Sequence, residues 1–397
     1  MARVLYISYD GLLEPLGQSQ VLQYLKKLAA CHEITLVSYE RKADWAEVAK
    51  RKALKKIVKD AGIKWIPLRY HKSPTALATS YDLLRGFFVC TYLSIRYRIQ
   101  IVHARSYVSS VLALALKRIF KKRFIFDMRG FWADEKIEAG TWQPNSRIYQ
   151  ASKWFEKQFL TNADVVVSLT HAGVSAMKQF PYLKDSLPRF EVISTCTNLD
   201  LFRPISKQNN KPFTLGYVGA TINRYMLDPV IECFKIILKI QPNSRFLIIN
   251  KGEHEYIQER LNAHAISKDQ VELRTAEYSE VPKLMSEMDA HILFIKPVFA
   301  TLATAPTKFG EFLACGIPCL SNQGAGDMDT ILVEENVGVV LNEFYSITKL
   351  EKSVVKLLQL VKEPNMKQRC ISVAYKYFSL NEGVKKYNEI YKSLILD

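Results

Sequence analysis

Short apolar runs alternate with longer amphipathic stretches along the first half of the chain. The runs have the length and β-branched composition of strands buried on both faces. They cover Val4–Tyr9, Ile34–Ser38, Lys64–Leu68, Ile101–His103, Phe124–Phe126, Val165–Leu169 and Val192–Ser194. Between them, apolar residues recur every three to four positions and predict helices, for example at Val21–Ala30, Trp45–Ala61 and Val108–Ile119. This alternation predicts a doubly wound α/β sheet.

The same alternation restarts after Arg203–Pro212, a polar segment bounded by prolines that predicts a linker. The strands predicted beyond it are Thr214–Val218, Phe246–Ile249, Val271–Leu273, Ala290–Ile295, Ile317–Leu320 and Val337–Val340. A helix is predicted from about Met226, and the chain ends in a predicted helix at Gly383–Leu396. Val384, Tyr387, Ile390, Tyr391 and Leu394 share one face of that last helix.

We therefore predict two domains. The first spans residues 1–204, a linker spans 205–212, and the second spans 213–378. The remaining residues, 379–397, form a C-terminal helix that crosses back to the first domain. Because ligands of open α/β sheets bind beyond the carboxyl ends of the strands, the loops that follow strands are the places to look for chemistry.

Composition changes this picture only through charge. The 397 residues are 48% hydrophobic and 24% charged, as in ordinary globular proteins. The net charge is +16, and residues 1–200 supply +14 of it, from 31 Lys and Arg against 17 Asp and Glu. Such a half is suited to nucleic acid, an anionic membrane surface or phosphorylated substrates, although a solvated basic face explains the charge equally well.

Two further features bear on location. The chain opens directly on a predicted strand without a secretory signal, and its most apolar stretch, Leu83–Ile95, is interrupted by Arg85 and Gly86. The seven cysteines lack paired spacing, and Cys315 and Cys319 have no second pair to complete a zinc site. We expect a cytoplasmic protein with buried, reduced thiols.

Ala305–Pro318 is the strongest candidate for chemistry. Pro306 favours a helix start there, and the first free N–H groups, near Thr307 and Lys308, form an anion site. Glu311 follows Lys308 by three residues on the same side of the helix, so one phosphate–sugar unit could touch both. An ordinary capped helix with a Lys308–Glu311 ion pair is the plain alternative.

Two glycine turns follow predicted strands. Asp10–Gln20 contains Gly17, just before a helix predicted to start near Gln18, where glycine lets a ligand approach the backbone. Gly219 ends the first strand of the second domain, and Arg224 lies near the next helix start, as a diphosphate clamp requires. Plain strand-to-helix turns remain the alternative for both.

Phe126–Glu135 places Asp127 and Arg129 after an apolar strand and beside Trp132, which suits a sugar or phosphate subsite. A local ion pair of Arg129 with Asp127 or Glu135 would explain the same residues.

Together these four stretches resemble the glycosyltransferase family 4 (group 1) enzymes of GT-B architecture, and among them a bacterial branch that acts in surface-polysaccharide assembly. The resemblance covers nearly the whole chain and is specific only through the combination of its motifs. It implies two Rossmann-like doubly wound domains facing a central cleft, with a nucleotide-sugar donor bound mainly by the second and an acceptor by the first. It also implies retention of anomeric configuration, no metal and no cofactor, since the nucleotide sugar is a substrate.

Carried over residue by residue, the resemblance implies that Glu311 holds the donor ribose. Thr307, Lys308 and Gly219 are expected at the diphosphate, and Gly17 in the cleft near it. The predicted donor-binding residues are Gly17, Gln18, Gly219, Thr307 and Glu311. The predicted catalytic residues are Arg224, Lys308, Asp127 and Arg129.

The sequence departs from the family pattern at three places. Ala303 stands where a first glutamate often touches the transferred sugar. No lysine follows Arg224 before Lys235, so Lys251 or Lys308 is expected to supply the second charge. The usual histidine after the fifth strand is absent, and Asp127 or Arg129 occupies that region.

Asp327-Met-Asp329 matches a metal motif of another transferase class, but an N-cap before Ile331 explains it more simply. In the expected mechanism, cations and helix ends stabilise the leaving diphosphate without a metal.

The basic first half has its own predicted partner, an anionic membrane surface that carries a glycan or lipid-pyrophosphate-linked acceptor. Lys50–Lys59 sets Leu54, Ile57 and Val58 among six cations, and Lys117–Arg123 sets Ile119 and Phe120 among charges. Solvated helix faces are the alternative. We expect the enzyme to be cytoplasmic and peripheral at the inner face of the plasma membrane.

Two other functions remain open at this stage. A sugar-nucleotide 2-epimerase of the same architecture would isomerise its substrate without an acceptor. A nucleic-acid-binding protein would explain the charge, but no recognised module is present and we expect no nucleic-acid partner.

Overall fold

The computed structural model describes residues 1–71, 73, 75–205, 211–344 and 346–396. Contacts divide the chain into one unit of Met1–Ile193 with Leu380–Asp397 and another of Ser194–Ser379. Of the predicted linker 205–212, residues 206–210 lie outside the described part of the chain. The second unit ties its own ends together, since the Thr197 N–H donates to the Phe378 carbonyl at 2.8 Å.

A parallel seven-stranded sheet forms the centre of the first unit, in the order β3-β2-β1-β4-β5-β6-β7. Its strands are β1 Arg3–Ser8, β2 Glu33–Glu40, β3 Lys64–Arg69, β4 Ile101–Arg105, β5 Arg123–Asp127, β6 Val165–Ser168 and β7 Arg189–Val192. The last strand was predicted at Val192–Ser194 but lies at Arg189–Val192. The prediction failed there because this edge strand alternates polar and apolar residues and has no apolar run. The order reverses beside β1, so the loops after β1 and β4 lie where such sheets bind ligands.

Helices connect these strands. They are α1 Pro15–Gly17, α2 Gln23–Leu28, α3 Lys42–Ala46, α4 Val48–Asp60, α5 Thr75–Arg96, α6 Ser106–Phe120, α7 Trp132–Glu138, α8 Arg147–Asn162 and α9 His171–Lys178. A π-helical turn, Gln18–Leu22, joins α1 to α2, so the helix predicted at Val21–Ala30 begins earlier, at Pro15. A 3₁₀ turn spans Pro181–Leu183.

The long helix α5 contains the stretch that sequence reasoning treated as an interrupted apolar run. Gly86 lies inside α5 and does not interrupt the helix. Because glycine has no side chain, it lets α5 pack close to β2. A Cβ atom at Gly86 would lie 2.0 Å from the Tyr39 hydroxyl oxygen. No helix within the described residues is long and apolar enough to cross a membrane.

The second unit has a parallel six-stranded sheet in the order β10-β9-β8-β11-β12-β13. Its strands are β8 Thr214–Val218, β9 Arg245–Ile249, β10 Val271–Arg274, β11 Ala290–Leu293, β12 Cys319–Asn322 and β13 Gly338–Leu341. Its helices are α10 Leu227–Ile240, α11 His254–Ala263, α12 Val281–Met285, α13 Thr307–Ala314, α14 Met328–Glu334, α15 Ile347–Val361 and α16 Met366–Phe378. Short 3₁₀ turns span Lys268–Gln270 and Phe299–Ala303.

The strand predicted at Ile317–Leu320 begins two residues later. The Ile317 N–H still closes the end of α13 by donating to the Phe312 carbonyl at 3.0 Å, and Pro318 has no N–H for a sheet ladder.

The final helix, α17 Leu380–Leu396, belongs to the first unit and packs against α2. Tyr387, Ile390, Tyr391 and Leu394 are buried as its periodicity predicts, whereas Val384 is only partly buried. The predicted helical C-terminal tail is thus confirmed.

All seven cysteines are free thiols, and six are buried. Cys31 is exposed, which corrects the prediction that every thiol is buried. It lies in the turn after α2, where the chain leaves the helix for β2.

Candidate functional site

The turn after β8 is held in one conformation by side chains of the neighbouring strand end. Gly219 has a φ of +105°, which favours glycine. Its carbonyl accepts from the Asn250 amide at 2.8 Å, and that amide also donates to Glu253 at 3.0 Å. Glu253 in turn accepts from the backbone N–H and the hydroxyl of Thr221, at 2.6 and 2.8 Å. Side chains of the second unit itself therefore fix the shape of this turn.

Lys308 lies directly over this turn. A Cβ atom at Gly219 would sit 1.9 Å from the Lys308 Nζ atom, so a side chain at this position would displace the lysine from the turn. The same Nζ atom lies 4.6 Å from the centre of the Tyr225 ring, within cation–π range. Two residues that the sequence placed in one diphosphate site thus meet in the structure.

Arg224 extends from the same turn toward the loop that precedes α13. Its Nη1 atom donates to the Thr304 hydroxyl at 3.3 Å, and its carbonyl accepts from the Lys296 N–H at 2.9 Å. Tyr225, the residue after Arg224, contacts Lys308. Arg224, from the turn after β8, and Lys308, from α13, therefore both lie near the loop that precedes α13.

Glu311 lies one turn further along α13 and is buried, with 5% of its surface exposed. The Tyr278 hydroxyl donates to its Oε1 atom at 3.2 Å. Burial raises the pKa of this carboxyl to about 7, although Tyr278 and Lys308 both act to lower it. A carboxyl group that is half-protonated near neutral pH can exchange its proton for the hydroxyl donors of a sugar.

The start of α13 has the geometry expected of an anion site. Pro306 is the N-cap residue and offers no side-chain hydrogen bond to the first turn, while Thr307 is half-buried. Behind the helix, the ring of buried His291 stacks on Phe312 with centroids 3.6 Å apart. Burial lowers the pKa of His291 to about 3, so this ring is neutral and its Nδ1–H donates to the Gly216 carbonyl at 3.1 Å.

The structure separates the candidates for a second cation. Lys251 is largely exposed and pairs with Glu277 at 3.3 Å, and Lys235 pairs with Glu232 on α10 at 3.1 Å. Lys308 is therefore the lysine that accompanies Gly219. Ala303, at the position of the family's first glutamate, is buried in the 3₁₀ turn before α13.

Asp327 occupies the predicted N-cap position of α14, but its side chain makes no capping hydrogen bond. Asp329 instead accepts from the Gly324 N–H at 3.1 Å and the Thr330 N–H at 2.8 Å. Both bonds hold the local turn, which gives Asp329 a structural role; the N-cap bond predicted for Asp327 is not formed.

In the first unit, the predicted position of Gly17 before its helix is wrong. Gly17 lies inside the helical turn that Pro15 begins, and a Cβ atom there would lie 2.1 Å from the Gly11 carbonyl oxygen. Glycine at this position therefore lets the helix pack on its own preceding loop. Gln18 also serves that loop, because its side-chain amide donates to the Leu13 carbonyl at 3.2 Å.

Sequence reasoning missed the residue that shapes this loop. Glu40, at the end of β2, is buried, and its two carboxylate oxygens accept from the N–H groups of Leu12 and Leu13 at 2.8 and 3.1 Å. The sequence signal that could have found it is a carboxylate at the end of an apolar strand. That strand, β2, lies beside β1, and the loop follows β1.

Asp127 and Arg129 lie in a buried cluster. Asp127 is 1% exposed and accepts from the Tyr387 hydroxyl at 3.1 Å. Its carboxylate is 3.5 Å from the His103 Nε2 atom and 3.9 Å from the Arg129 Nη1 atom. Burial acts to raise the pKa of Asp127, but Arg129 and His103 outweigh it and hold that pKa below its usual value. These contacts join Asp127 to Arg129 and, through Tyr387, to α17.

Arg105 is a second cation at this sheet edge that sequence reasoning missed. It ends β4, beside β1 and β5, and its Nε and Nη1 atoms are buried without a hydrogen-bond partner among the described residues. The Asp10 carboxylate is 3.6 Å from Nε. A buried guanidinium with unused donors is suited to an anionic group such as phosphate.

The first unit also contains a cavity of about 680 Å³ at the carboxyl ends of its strands. Its lining includes the charged residues Asp10, Glu14 and Arg41 together with a group of aromatic residues. The aromatic lining residues include Tyr9, Tyr70, Tyr107, Trp132, Trp142, Phe155 and Phe159. Aromatic faces beside charged groups can hold a sugar or an amphiphilic molecule.

Comparison with known families identifies similarity over both units. Residues 17–182 match the family model described as glycosyl transferase 4-like domain. Residues 200–377 match that described as glycosyl transferases group 1. A search of curated proteins gives no match.

Solved structures share this fold at low sequence identity. One is sucrose-phosphate synthase from Thermosynechococcus elongatus, 13% identical over 100% of both chains, with a TM-score of 0.70. Another is HepE from Anabaena in complex with UDP and glucose, 12% identical over 99% of this chain and 100% of that one, with a TM-score of 0.67. A third is WaaG, a glycosyltransferase involved in lipopolysaccharide biosynthesis, 14% identical over 98% and 99%, with a TM-score of 0.63. These likenesses confirm the predicted GT-B fold.

Proposed function

Because this chain belongs to the group 1 glycosyl transferases and begins with a glycosyl transferase 4-like domain, we propose that it moves a hexosyl group from a nucleotide sugar to an acceptor hydroxyl. The acceptor is a glycan or a lipid-linked glycan of surface-polysaccharide synthesis, and the anomeric configuration is retained. The reaction takes place in the cytoplasm, at the inner face of the plasma membrane. HepE, a structure of the same fold, was solved with UDP and glucose, and WaaG acts in lipopolysaccharide biosynthesis.

The observation that carries this proposal is the Lys308 side chain lying on Gly219, where any side chain at position 219 would displace it. A cation held over a rigid glycine turn and beside a helix start is suited to the diphosphate of a donor. Glu311, one turn further on, is placed to accept from ribose hydroxyls of the same nucleotide.

In the proposed reaction, the bond from the anomeric carbon of the hexose to the diphosphate oxygen breaks, and the electron pair stays on the diphosphate. Lys308, Arg224 and the N–H groups at the start of α13 stabilise the developing charge. The acceptor hydroxyl attacks from the face that the diphosphate leaves, and its proton passes to the departing phosphate oxygen. These fixed cations perform the task that a metal performs in other transferases, so we propose a metal-independent enzyme without a cofactor.

The acceptor is assigned to the first unit. Its aromatic cavity offers Trp132 and Trp142 as surfaces for a sugar ring, and Arg105 offers unused donors for a phosphate group of a lipid-pyrophosphate acceptor. Arg129 lies at the same sheet edge, where the Asp127 carboxylate, 3.9 Å from its Nη1 atom, compensates its charge.

The test is a screen of UDP and GDP sugars by thermal shift, followed by transfer assays. We expect one nucleotide sugar to raise the melting temperature, because a ligand that binds only the folded protein stabilises it. With a polyprenyl-pyrophosphate-linked acceptor, UDP or GDP should be released and the product should keep the donor's anomeric configuration by NMR.

Excess EDTA should leave the rate unchanged. Isomerisation of the nucleotide sugar without an acceptor would instead identify an epimerase, and binding of DNA without sugar chemistry would contradict the proposal altogether.

A further inference from the structure

Helix α5 of the first unit presents a continuous apolar stripe to solvent. Six large residues, spaced three or four apart, share one side of the helix and are each 56–71% exposed. They are Leu77, Tyr81, Leu84, Phe88, Tyr92 and Ile95. Isolated exposed apolar residues are ordinary, but a stripe along five turns of one helix marks an interaction surface.

The stripe is additional to the face that attaches α5 to its own unit. Ala78, Asp82, Cys90 and Leu93 are buried on the inward side, and Gly86 lets the helix approach Tyr39. The fold of the first unit therefore does not require the outward residues, and their apolar character needs another explanation.

The stretch of sequence that contains α5 is strongly basic. Between Asp60 and Asp127 the sequence contains 12 Lys and Arg residues and a single acid, Asp82. Asp82 is buried and accepts from the Tyr9 hydroxyl at 3.1 Å and from His71. The exposed charges of α5 itself, within the described residues, are Arg85 and Arg96.

The two basic patches predicted from sequence lack this combination. On α4, Leu54 and Val58 are buried in the unit's own core. At the end of α6, Lys117 and Arg123 share the Asp164 carboxylate, at 2.5 and 3.3 Å. Of the large apolar residues of these patches, Ile57 and Ile119 remain exposed, at 42% and 58%, so each patch presents one such side chain beside its cations and not a stripe.

We propose that α5 is the surface by which this protein docks on an anionic lipid bilayer. The stripe enters the interface at the level of the acyl chains, while Arg85 and Arg96 contact lipid phosphates. A second copy of the chain fits the surface less well, since it would bring the same arginines together without an exposed acid on either helix.

The purpose of this docking rests on the proposed function. Thr79 and Leu83 of α5 line the aromatic cavity of the first unit, so a lipid-linked acceptor in the same bilayer would lie close to it.

Flotation of the full chain with phosphatidylcholine vesicles, with and without phosphatidylglycerol, tests the proposal. We expect binding to the anionic vesicles that weakens at high salt. The Leu84→Ser/Phe88→Ser variant should bind roughly tenfold or more weakly, because two buried apolar side chains are lost. The exposed pair Val333 and Ile347 of the second unit, changed to serine, gives a control that also removes two exposed apolar side chains and should bind like the wild type.

Arg85→Gln/Arg96→Gln should reduce the salt-sensitive part of binding, whereas Lys239→Gln/Lys268→Gln in the second unit should not. Tyr92→Ser/Ile95→Ser repeats the stripe test should the first variant fold poorly by circular dichroism.

Binding that survives both stripe variants, or no vesicle binding at all, would overturn the assignment of α5. A wild-type dimer in light scattering that the stripe variants dissociate would identify a self-interface instead. Nucleotide-sugar binding, measured in the same preparations, tests the proposed function separately. If the wild-type protein binds vesicles but no nucleotide sugar, the proposed function fails and the docking proposal does not.

Discussion

The two units place cations at the carboxyl ends of their parallel strands in opposite ways. In the first unit, Arg129 is held by the buried Asp127, which also binds α17 through Tyr387. In the second, Lys308 lies on a bare glycine turn and an aromatic ring. The same fold element thus carries one cation 3.9 Å from a buried carboxylate and another that lies against glycine and tyrosine, with the carboxyl of Glu311 one turn further along its helix.

This difference indicates where binding energy is available. A cation already paired with a buried carboxylate gains little from a phosphate, because its desolvation is already compensated. A cation over glycine and tyrosine retains its strongest interaction for an incoming anion. We therefore expect changes in the first cluster to act mainly on folding and changes in the second mainly on turnover.

The largest effect is expected for Asp127→Asn. Removing the charge leaves Arg129 buried beside a neutral amide, which should lower the free energy of unfolding by about 3 kcal/mol. Because the pKa of Asp127 lies below its usual value, its contribution is present above that usual value and is lost as the pH falls through the native pKa.

Urea denaturation measures this change, with exposed Asp269→Asn as the matched control. Unchanged stability with lost turnover would instead give Asp127 the catalytic role predicted from sequence.

Lys308→Ala should lower kcat by ~10²–10³, as loss of one preorganised donor to a developing anion does. Lys251→Ala is the matched control, since that lysine pairs with Glu277 at the surface and should turn over normally. Arg224→Ala should resemble Lys308→Ala. If Lys251→Ala were the damaging change, the second cation of the site would have been assigned to the wrong lysine.

A pair of glycine variants sharpens the same point. Gly219→Ala should lower kcat by roughly 10², because its Cβ displaces Lys308 from the position over the turn. Gly252→Ala carries similar backbone strain, with a φ of +101° against +105°, but its Cβ meets open space. Equal loss of activity in both would attribute the effect to strain alone and not to the lysine.

The smallest effect concerns Glu311. Its carboxyl has a pKa of about 7, so its acceptor capacity for ribose grows as the pH rises through that value. The donor KM should fall severalfold across this range, and Glu311→Gln should abolish the dependence. A KM that stays independent of pH in the wild type would remove Glu311 from the ribose site.

The linked stability change has the opposite sign. Between its usual pKa of 4.5 and about 7, native Glu311 keeps a proton that the unfolded chain has lost. The free energy of unfolding therefore falls as the pH rises through this window, and Glu311→Gln should flatten that fall.

Much of the fold could be predicted because buried parallel strands are apolar on both faces. Thr214–Val218 was predicted to the residue, since it is buried along its whole length. Edge strand β7 was displaced, because its pattern alternates. Helix α5 was missed because apolar residues on both of its faces hide the amphipathic period.

The candidate site could be predicted only where the chemistry lies in neighbouring residues of the sequence. Lys308 and Glu311 share one helix, so their spacing predicted a common face. Other contacts join residues that are far apart in sequence and could not be predicted. Lys308 contacts Gly219, and Glu40 accepts hydrogen bonds from Leu12 and Leu13. Arg105 was missed because its strand was predicted to stop two residues short of it.

The position of α17 has a consequence for synthesis. Residues 1–193 are synthesised before α17, and yet His103 and Asp127 receive hydroxyl partners from Tyr391 and Tyr387 of that helix. Until α17 has been synthesised, these two buried side chains lack those hydroxyl partners. A chain truncated before Leu380 would keep all residues of the second unit, but its first unit would lack α17.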